Sequence, residues 1–232
     1  MNPDLSAAVD RCPVLSRIGL IGRSKLVPHA RIVEYERGRT LYSHEMPADR
    51  CFVILTGWVK LYRVRHSGDE AVIRMQRQGE TLGVDEGMRN GRYRHHASAV
   101  SPSKVLVFPA QIMRETLEAD PEFGKALLHH LFDVNDQLYD QIEALKSRKA
   151  IERLANFLQT HARTRKGKTF VTLPYDKTTL AAYLGMQPES LSRALAQLSE
   201  YGVRVTRDRM EITDINALLA LTHYGKDGVG VT

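Results

Sequence analysis

The stretch Asp176–Arg209 constrains this chain more than any other. Its sequence, DKTTLAAYLGMQPESLSRALAQLSEYGVRVTRDR, predicts a helix, a tight turn, a second helix and a basic two-stranded wing. Leu180, Ala181 and Leu184 give the first helix one apolar face, and Asp176 is its expected N-cap. Gly185 supplies the backbone freedom that a tight inter-helix turn needs. Pro188 suits the first position of the next helix, where no backbone N–H is missed. Leu191, Ala194, Leu195 and Leu198 then repeat at helical spacing and are expected to face the first helix.

The other face of that second helix holds Glu189, Ser190, Ser192, Arg193 and Gln197. A helix-turn-helix puts the N-terminal part of its second helix into the DNA major groove. There Glu accepts from a base amino group, Arg bridges guanine O6 and N7, and Ser serves either kind of base. Glu189, Ser192 and Arg193 are therefore the expected base readers. Thr178, Thr179, Gln187, Ser190, Gln197, Arg207 and Arg209 are the expected supporting contacts. A polar helix face is usually just solvated. The glycine turn, the preceding helix and the wing together decide for double-stranded DNA.

Charge agrees with a polyanionic partner: the 232 residues carry a net +6, with a pI of about 9.4. Two cysteines, Cys12 and Cys51, argue against a disulfide scaffold. The start of the chain lacks an apolar signal core, and no apolar run reaches the length of a membrane span. A soluble, cytoplasmic protein with no membrane contact is expected.

Residues 1–30 read as a loose leader followed by a short helical piece. From Ile32 to Phe108 short β-rich runs alternate with turns: Ile32–Tyr35, Cys51–Leu55, Trp58–Val64, Val72–Met75 and Val105–Phe108. Such punctuation indicates an antiparallel sandwich or barrel. Gly83–Val100 is less regular and reads as an inserted loop. It gathers Asp85, Glu86, Arg89, Arg92, Arg94, His95 and His96. Of these Asp85, Glu86, Arg92, Arg94, His95 and His96 form a candidate effector pocket, with a polar surface loop as the plain alternative. No His-x-His or Cys-x-x-Cys spacing occurs, so no metal site and no catalytic residues are assigned.

Helix begins at Pro109–Thr116 and restarts at Asp120-Pro121-Glu122, running to about Ser147. Leu128, Leu131, Asn135, Leu138, Ile142 and Leu145 are spaced 3, 4, 3, 4, 3. That is a heptad seam; an Asn at an a position fixes register, and Ile at a with Leu at d favours two parallel strands. A homodimer is expected, with burial inside the monomer as the alternative. Phe123, Leu127, Phe132 and Tyr139 lie off the seam and are expected to pack on the β-domain. Ser147-Arg148-Lys149 reads as a hinge, and Ile151, Leu154, Ala155 and Leu158 as an amphipathic helix ending near His161. Arg163, Arg165, Lys166 and Lys168 cluster in the loop beyond and could meet phosphates. Val171–Leu173 and Val203–Thr206 read as strands, with Arg207-Asp208-Arg209 as the wing turn and Met210–Ile212 returning. Thr213-Asp214 caps a last helix, Ile215–Leu221, before the tail YGKDGVGVT.

This order of parts resembles the CRP/FNR superfamily of bacterial transcription regulators, over roughly residues 20–222. The run Glu189-Ser190-Leu191-Ser192-Arg193 is similar to the Glu-x-x-Ser-Arg of the FNR branch, and Gln187-Pro188-Glu189 to regulators of the DNR type. The resemblance implies an α+β fold: an N-terminal antiparallel β-roll of the cyclic-nucleotide-binding kind, a long dimerisation helix and a C-terminal winged helix-turn-helix. It places a sensor domain at 1–118, the dimerisation helix at 119–147 and the DNA-binding domain at 148–232. It implies a TTGAT half-site read by Glu189, Ser192 and Arg193, and RNA polymerase as a partner.

Departures bear on the signal. A cyclic-nucleotide pocket of this kind uses Gly-Glu-Leu and then an Arg-Ser/Thr pair. Here Gly83-Val84-Asp85 and Tyr93-Arg94 stand instead, which argues against cAMP. Two cysteines are too few for the four that hold an iron–sulfur cluster in FNR proteins. DNR-like proteins are associated with haem and nitric oxide, which leaves His29, His44, His95 and His96 as candidate axial ligands. A thiol switch at Cys12 or Cys51 is a further alternative, and the effector stays unknown. Two rival functions are a ligand-binding regulatory protein without DNA and a cupin-like metal enzyme. The base-reading side chains oppose the first; the missing histidine series opposes the second.

Overall fold

The computed structural model describes residues 3–10, 12, 14–165, 168–172, 176–206 and 209–223. It divides into two compact units, residues 1–136 and 137–232, and the division falls inside one long helix.

The first unit runs α1 (Pro3–Asp10), α2 (Leu20–Leu26), β1 (Arg31–Tyr35), β2 (Thr40–Tyr42), β3 (Arg50–Thr56), β4 (Trp58–Val64), β5 (Glu70–Arg77), β6 (Thr81–Leu82), α3 (Val84–Met88), β7 (His96–Ala99), β8 (Ser103–Pro109), α4 (Ala110–Ala119) and the start of α5 (Pro121–Ser147). Its strands form two antiparallel four-stranded sheets, β1-β8-β3-β6 and β2-β7-β4-β5. The five predicted runs all lie in strands. The added strands β2, β6 and β7 are two to four residues long, too short for a period-two pattern to register.

Strand β3 explains its own unbroken apolar sequence. Phe52 and Ile54 point into the roll with Tyr42, Val59, Leu82, Tyr93, Ala97 and Val105. Cys51 and Val53 alternate to the opposite face and join a second core with Leu106, Phe108, Met113, Phe123 and Leu127. A strand covered on both faces has no polar side to display.

That second core corrects two expectations. The leader is not loose: Val9, Cys12, Leu15, Ile18 and Leu26 are buried in it. Of the residues expected to pack on the β-domain, Phe123 and Leu127 do, whereas Phe132 and Tyr139 are 55% and 65% exposed. Both lie at least two turns beyond Phe123, past the buried start of α5. The Gly83–Val100 loop is also corrected, because it contains α3 and β7.

The buried carboxylate of Asp120 ties the leader to α5. Its Oδ1 accepts from Glu122 N (3.1 Å) and Phe123 N (3.4 Å) at the start of α5. Its Oδ2 accepts from Gly19 N (2.9 Å) and Gly22 N (3.3 Å) at the start of α2. One anion thus answers the unpaired amides and positive ends of two helices. Glycine is required opposite it, since a Cβ on Gly22 would lie 2.6 Å from Oδ2.

The second unit follows the end of α5 with α6 (Ala150–His161), β9 (Arg163–Arg165), β10 (Lys168–Thr172), α7 (Lys177–Tyr183), α8 (Pro188–Leu198), β11 (Val203–Val205), β12 (Arg209–Ile212) and α9 (Ile215–His223). The sheet order is β11-β12-β10-β9. Arg163 and Arg165 therefore lie on a strand, not in the expected loop, because β9 pairs with β10. Lys168 opens β10; Lys166, Leu173, Arg207, Asp208 and the tail from Tyr224 lie outside the described residues. Asp214 Oδ1 caps α9 by accepting from Asn216 N and Ala217 N.

Replacing Asp120 with Ala leaves two helix starts unanswered in a buried place. Urea unfolding should register a loss of about 2 kcal/mol or more, and Gly22→Ala should also destabilise. A loss below that of an exposed cap would discount the clasp.

Candidate nucleic-acid interface and effector region

Helix α8 forms where the sequence places it. Asp176 Oδ1 accepts from Thr179 N at 2.8 Å and so caps α7. Gly185 turns the chain at φ +63°, and Pro188 opens α8. Leu191, Ala194, Leu195 and Leu198 are buried with Leu180 and Ala181 of α7 and Leu154, Ala155 and Leu158 of α6. Glu189, Ser192, Arg193 and Gln197 are all exposed on α8, with Gln187 just before it.

Two contacts order that face. Arg193 Nη2 donates to Ser190 Oγ at 3.3 Å. Ser192 Oγ donates to Pro188 O at 3.0 Å, which leaves its lone pairs outward as acceptors. Thr178 is exposed and Thr179 half-buried at the start of α7. Arg209 begins β12 with its guanidinium 5.1 Å from the centre of the Phe170 ring. Arg163 and Arg165 on β9 and Arg204 on β11 add exposed positive charge.

The six residues assigned to an effector pocket fall into two groups. Asp85 and Glu86 occupy the first turn of α3. The buried Glu86 carboxylate accepts from Arg94 N at 3.3 Å. Burial first, and the hydrogen bond and charge of Asp85 next, push Glu86 up to about 7. His95 lies beside them, held below the usual imidazole value by burial and by Arg63 and Arg94. Arg92 instead donates to Glu45 O at 2.6 Å. His96 stacks on Tyr62, 5.1 Å between ring centres, and its Nδ1 accepts from His44 N at 3.4 Å. The lining beneath α3 is aromatic: Tyr93 stacks on Tyr42 at 3.8 Å and donates its hydroxyl to Arg50 O at 2.7 Å. Among the described residues no three His, Cys, Asp or Glu side chains are grouped to hold a metal ion.

The cysteines are packed rather than poised. Cys12 and Cys51 are both buried. Burial raises the Cys12 thiol and pushes Cys51 up to about 12. A reactive thiol needs the opposite environment.

Sequence periodicity missed a polar group between the roll and α5. Thr81 Oγ1 and His130 Nε2 are 2.7 Å apart. Gln76 Nε2 donates to Thr81 O at 3.4 Å, while the buried Gln76 Oε1 has no partner. His130 sits one residue before Leu131, and Thr81 two residues before Gly83. The heptad pattern drew attention to Leu131 and passed over its polar neighbour. The seam itself meets water: Leu128, Leu131, Leu138, Ile142 and Leu145 are 37–51% exposed.

A helix-turn-helix in a winged unit, joined by one long helix to a two-sheet roll, is the fold of a DNA-binding regulator rather than of an enzyme. The chain matches the cyclic nucleotide-binding domain over residues 32–120 and the Crp-like helix-turn-helix domain over residues 152–221. It is 30% identical over 178 residues to the global nitrogen regulator of Synechococcus elongatus, covering 73% of this chain and 79% of the relative. A solved Ruegeria pomeroyi protein, described as a candidate cyclic nucleotide binding protein, is 34% identical with a TM-score of 0.70, over 96% of this chain and 99% of the other. FixK2 from Bradyrhizobium japonicum shares the fold, with a TM-score of 0.74 at 20% identity over 87% and 99% of the two chains. The chain belongs to the CRP/FNR family of transcription regulators.

Glu86 gives a pH signature with a definite sign. Its folded value lies above the 4.5 of the free side chain, so the stability it contributes is present in acid and lost as pH rises toward about 7. Melting temperatures of the protein and of Glu86→Gln, compared from pH 5 to 8, should diverge in favour of the variant as pH increases. Parallel curves would remove the assignment.

Proposed function

We propose that this regulator is a homodimer that reads a two-fold operator with TTGAT half-sites and is gated by a small effector sensed in the β-roll. The observation that carries the reading is the division of α8: its aliphatic face is buried while Glu189, Ser192 and Arg193 stand in solvent. On this reading Arg193 bridges the guanine, and Glu189 and Ser192 accept from base amino groups. Thr178, Thr179, Gln187, Ser190, Gln197, Arg207 and Arg209 support them.

The half-exposed seam Leu128, Leu131, Asn135, Leu138, Ile142 and Leu145 favours a second copy of the chain as its cover. A two-fold axis along α5 would set two recognition helices about one helical turn of DNA apart. Residues 1–118 would then sense, 119–147 dimerise and 148–232 bind DNA, in the cytoplasm, where RNA polymerase is the working partner.

Within the roll the effector would meet Asp85, Glu86, Arg94 and His95. A phosphate attracted to the start of α3 would find two carboxylates already there. A cyclic nucleotide is therefore disfavoured, and a neutral or cationic effector fits the charge better. Effector binding need only favour one arrangement of the dimer over another.

Fluorescence anisotropy with a TTGAT–ATCAA duplex and a scrambled control, at fixed near-physiological salt, tests the DNA reading. Selective binding is expected, and Arg193→Ala should relax preference at the guanine by about 1–3 kcal/mol. Selectivity that survives this change sinks the base assignment. Sedimentation checks the seam: Ile142→Glu should convert dimer to monomer, and an unchanged dimer would move the interface elsewhere.

A further inference from the structure

The hinge after α5 is only Arg148 and Lys149. Three chain segments close around it. Arg153, in the first turns of α6, donates from Nη1 to Arg148 O at 2.9 Å. The same guanidinium donates from Nη2 to Gly185 O at 3.5 Å, in the turn between α7 and α8. Leu145, in the last turns of α5, fills the space beside that turn; a Cβ on Gly185 would lie 2.6 Å from Leu145 Cδ2. The hinge carbonyl and the turn leading into the recognition helix therefore meet at Arg153, and the tip of the long helix lies against that same turn.

The chemistry favours Arg over any other residue here. The carbonyls at a helix C-terminus have no partner within the helix, and a cation there is favoured by the dipole. Arg148 O lies just beyond that end. A planar fork can hold two carbonyls in fixed directions, which a lysine ammonium on a flexible stem cannot. The arrangement is not the cheapest one, because Arg153 Nε is buried without a partner. An unpaired buried donor costs about 1–3 kcal/mol. A group serving stability alone would gain from a shorter, fully paired side chain.

We propose that Arg153 is a positioning residue that locks the Gly185 turn to the end of α5, so that the recognition helix follows the long helix. This rests on the reading of α8 as the DNA-contacting helix. Arg153 touches no base itself; it acts through Gly185 and the start of α8.

The test compares the full-length protein with Arg153→Met, which removes the donors, and Arg153→Lys, which restores one cation; Arg153→Gln replaces the Met variant if that one fails to fold. The DNA probe is a duplex enriched by the unsubstituted protein from a random pool, with a scrambled duplex as control. The Met variant should keep its sedimentation and melting temperature and lose about tenfold in the ratio of selected to scrambled affinity. The Lys variant should recover part of that ratio. Hydrogen exchange without DNA should quicken at residues 185–190 in the Met variant. Unchanged selectivity and exchange overturn the proposal. Affinity that falls only together with melting temperature, and returns on cooling, also overturns it in favour of a purely structural role. If the unsubstituted protein enriches no duplex, the exchange at residues 185–190 still decides the lock.

Discussion

Helix α5 has to serve two surroundings along one rod, and both units depend on how it does so. Its first turns are anchored in a core by Phe123, Ala126 and Leu127, which are buried. One residue later Leu128 is half exposed, and the aliphatic seam continues in water to Leu145. Burial of apolar surface is worth about 25 cal/mol per Å², so leaving five such side chains half exposed forgoes several kcal/mol that a cover would return. The same rod also carries polar fixtures at both ends. Thr81 meets His130 near its start, and Arg153 gathers Arg148 and Gly185 beyond its finish.

A rigid element couples two sites only if each site favours one of its arrangements. Thr81 lies on β6, which leads through Gly83 into α3, so the strand that meets His130 is continuous with the helix that carries Glu86. Burial holds His130 below the usual imidazole value, with Arg74 acting in the same sense and Asp133 against it. The ring beside the Thr81 hydroxyl is therefore disfavoured in its charged form. The unpartnered oxygen of Gln76 in the same group leaves that joint incompletely satisfied, a condition that a rearrangement or an incoming donor can relieve.

Periodicity carries information about neighbours in sequence, and its success here follows that limit. Leu191, Ala194, Leu195 and Leu198 are buried as their spacing predicts, and Asp176, Gly185 and Pro188 act locally at cap, turn and helix start. The heptad in α5 was equally visible because its residues share one helix face. The Asp120 clasp was not, since its glycine partners lie 98 and 101 residues away. Nor was the Arg153 lock, whose bond to Gly185 spans 32 residues. The effector region was legible as a cluster but not as a site. Adjacent His95 and His96 go to different partners once β7 forms, and sequence alone does not say that a strand begins between them. Phe132 and Tyr139 misled for the converse reason: aromatic side chains invite a core, but the roll's second core ends at Leu127.

The leader's packing has a consequence for oxidants. Cys12 and Cys51 sit in the same core, under α1, α2 and α4, with their thiols held in the protonated form. An oxidant or alkylating reagent meets neither sulfur until the cover lifts. The rate of thiol modification would then count openings of the N-terminal cap, and would vary with the strength of the Asp120 clasp rather than with the acidity of either cysteine.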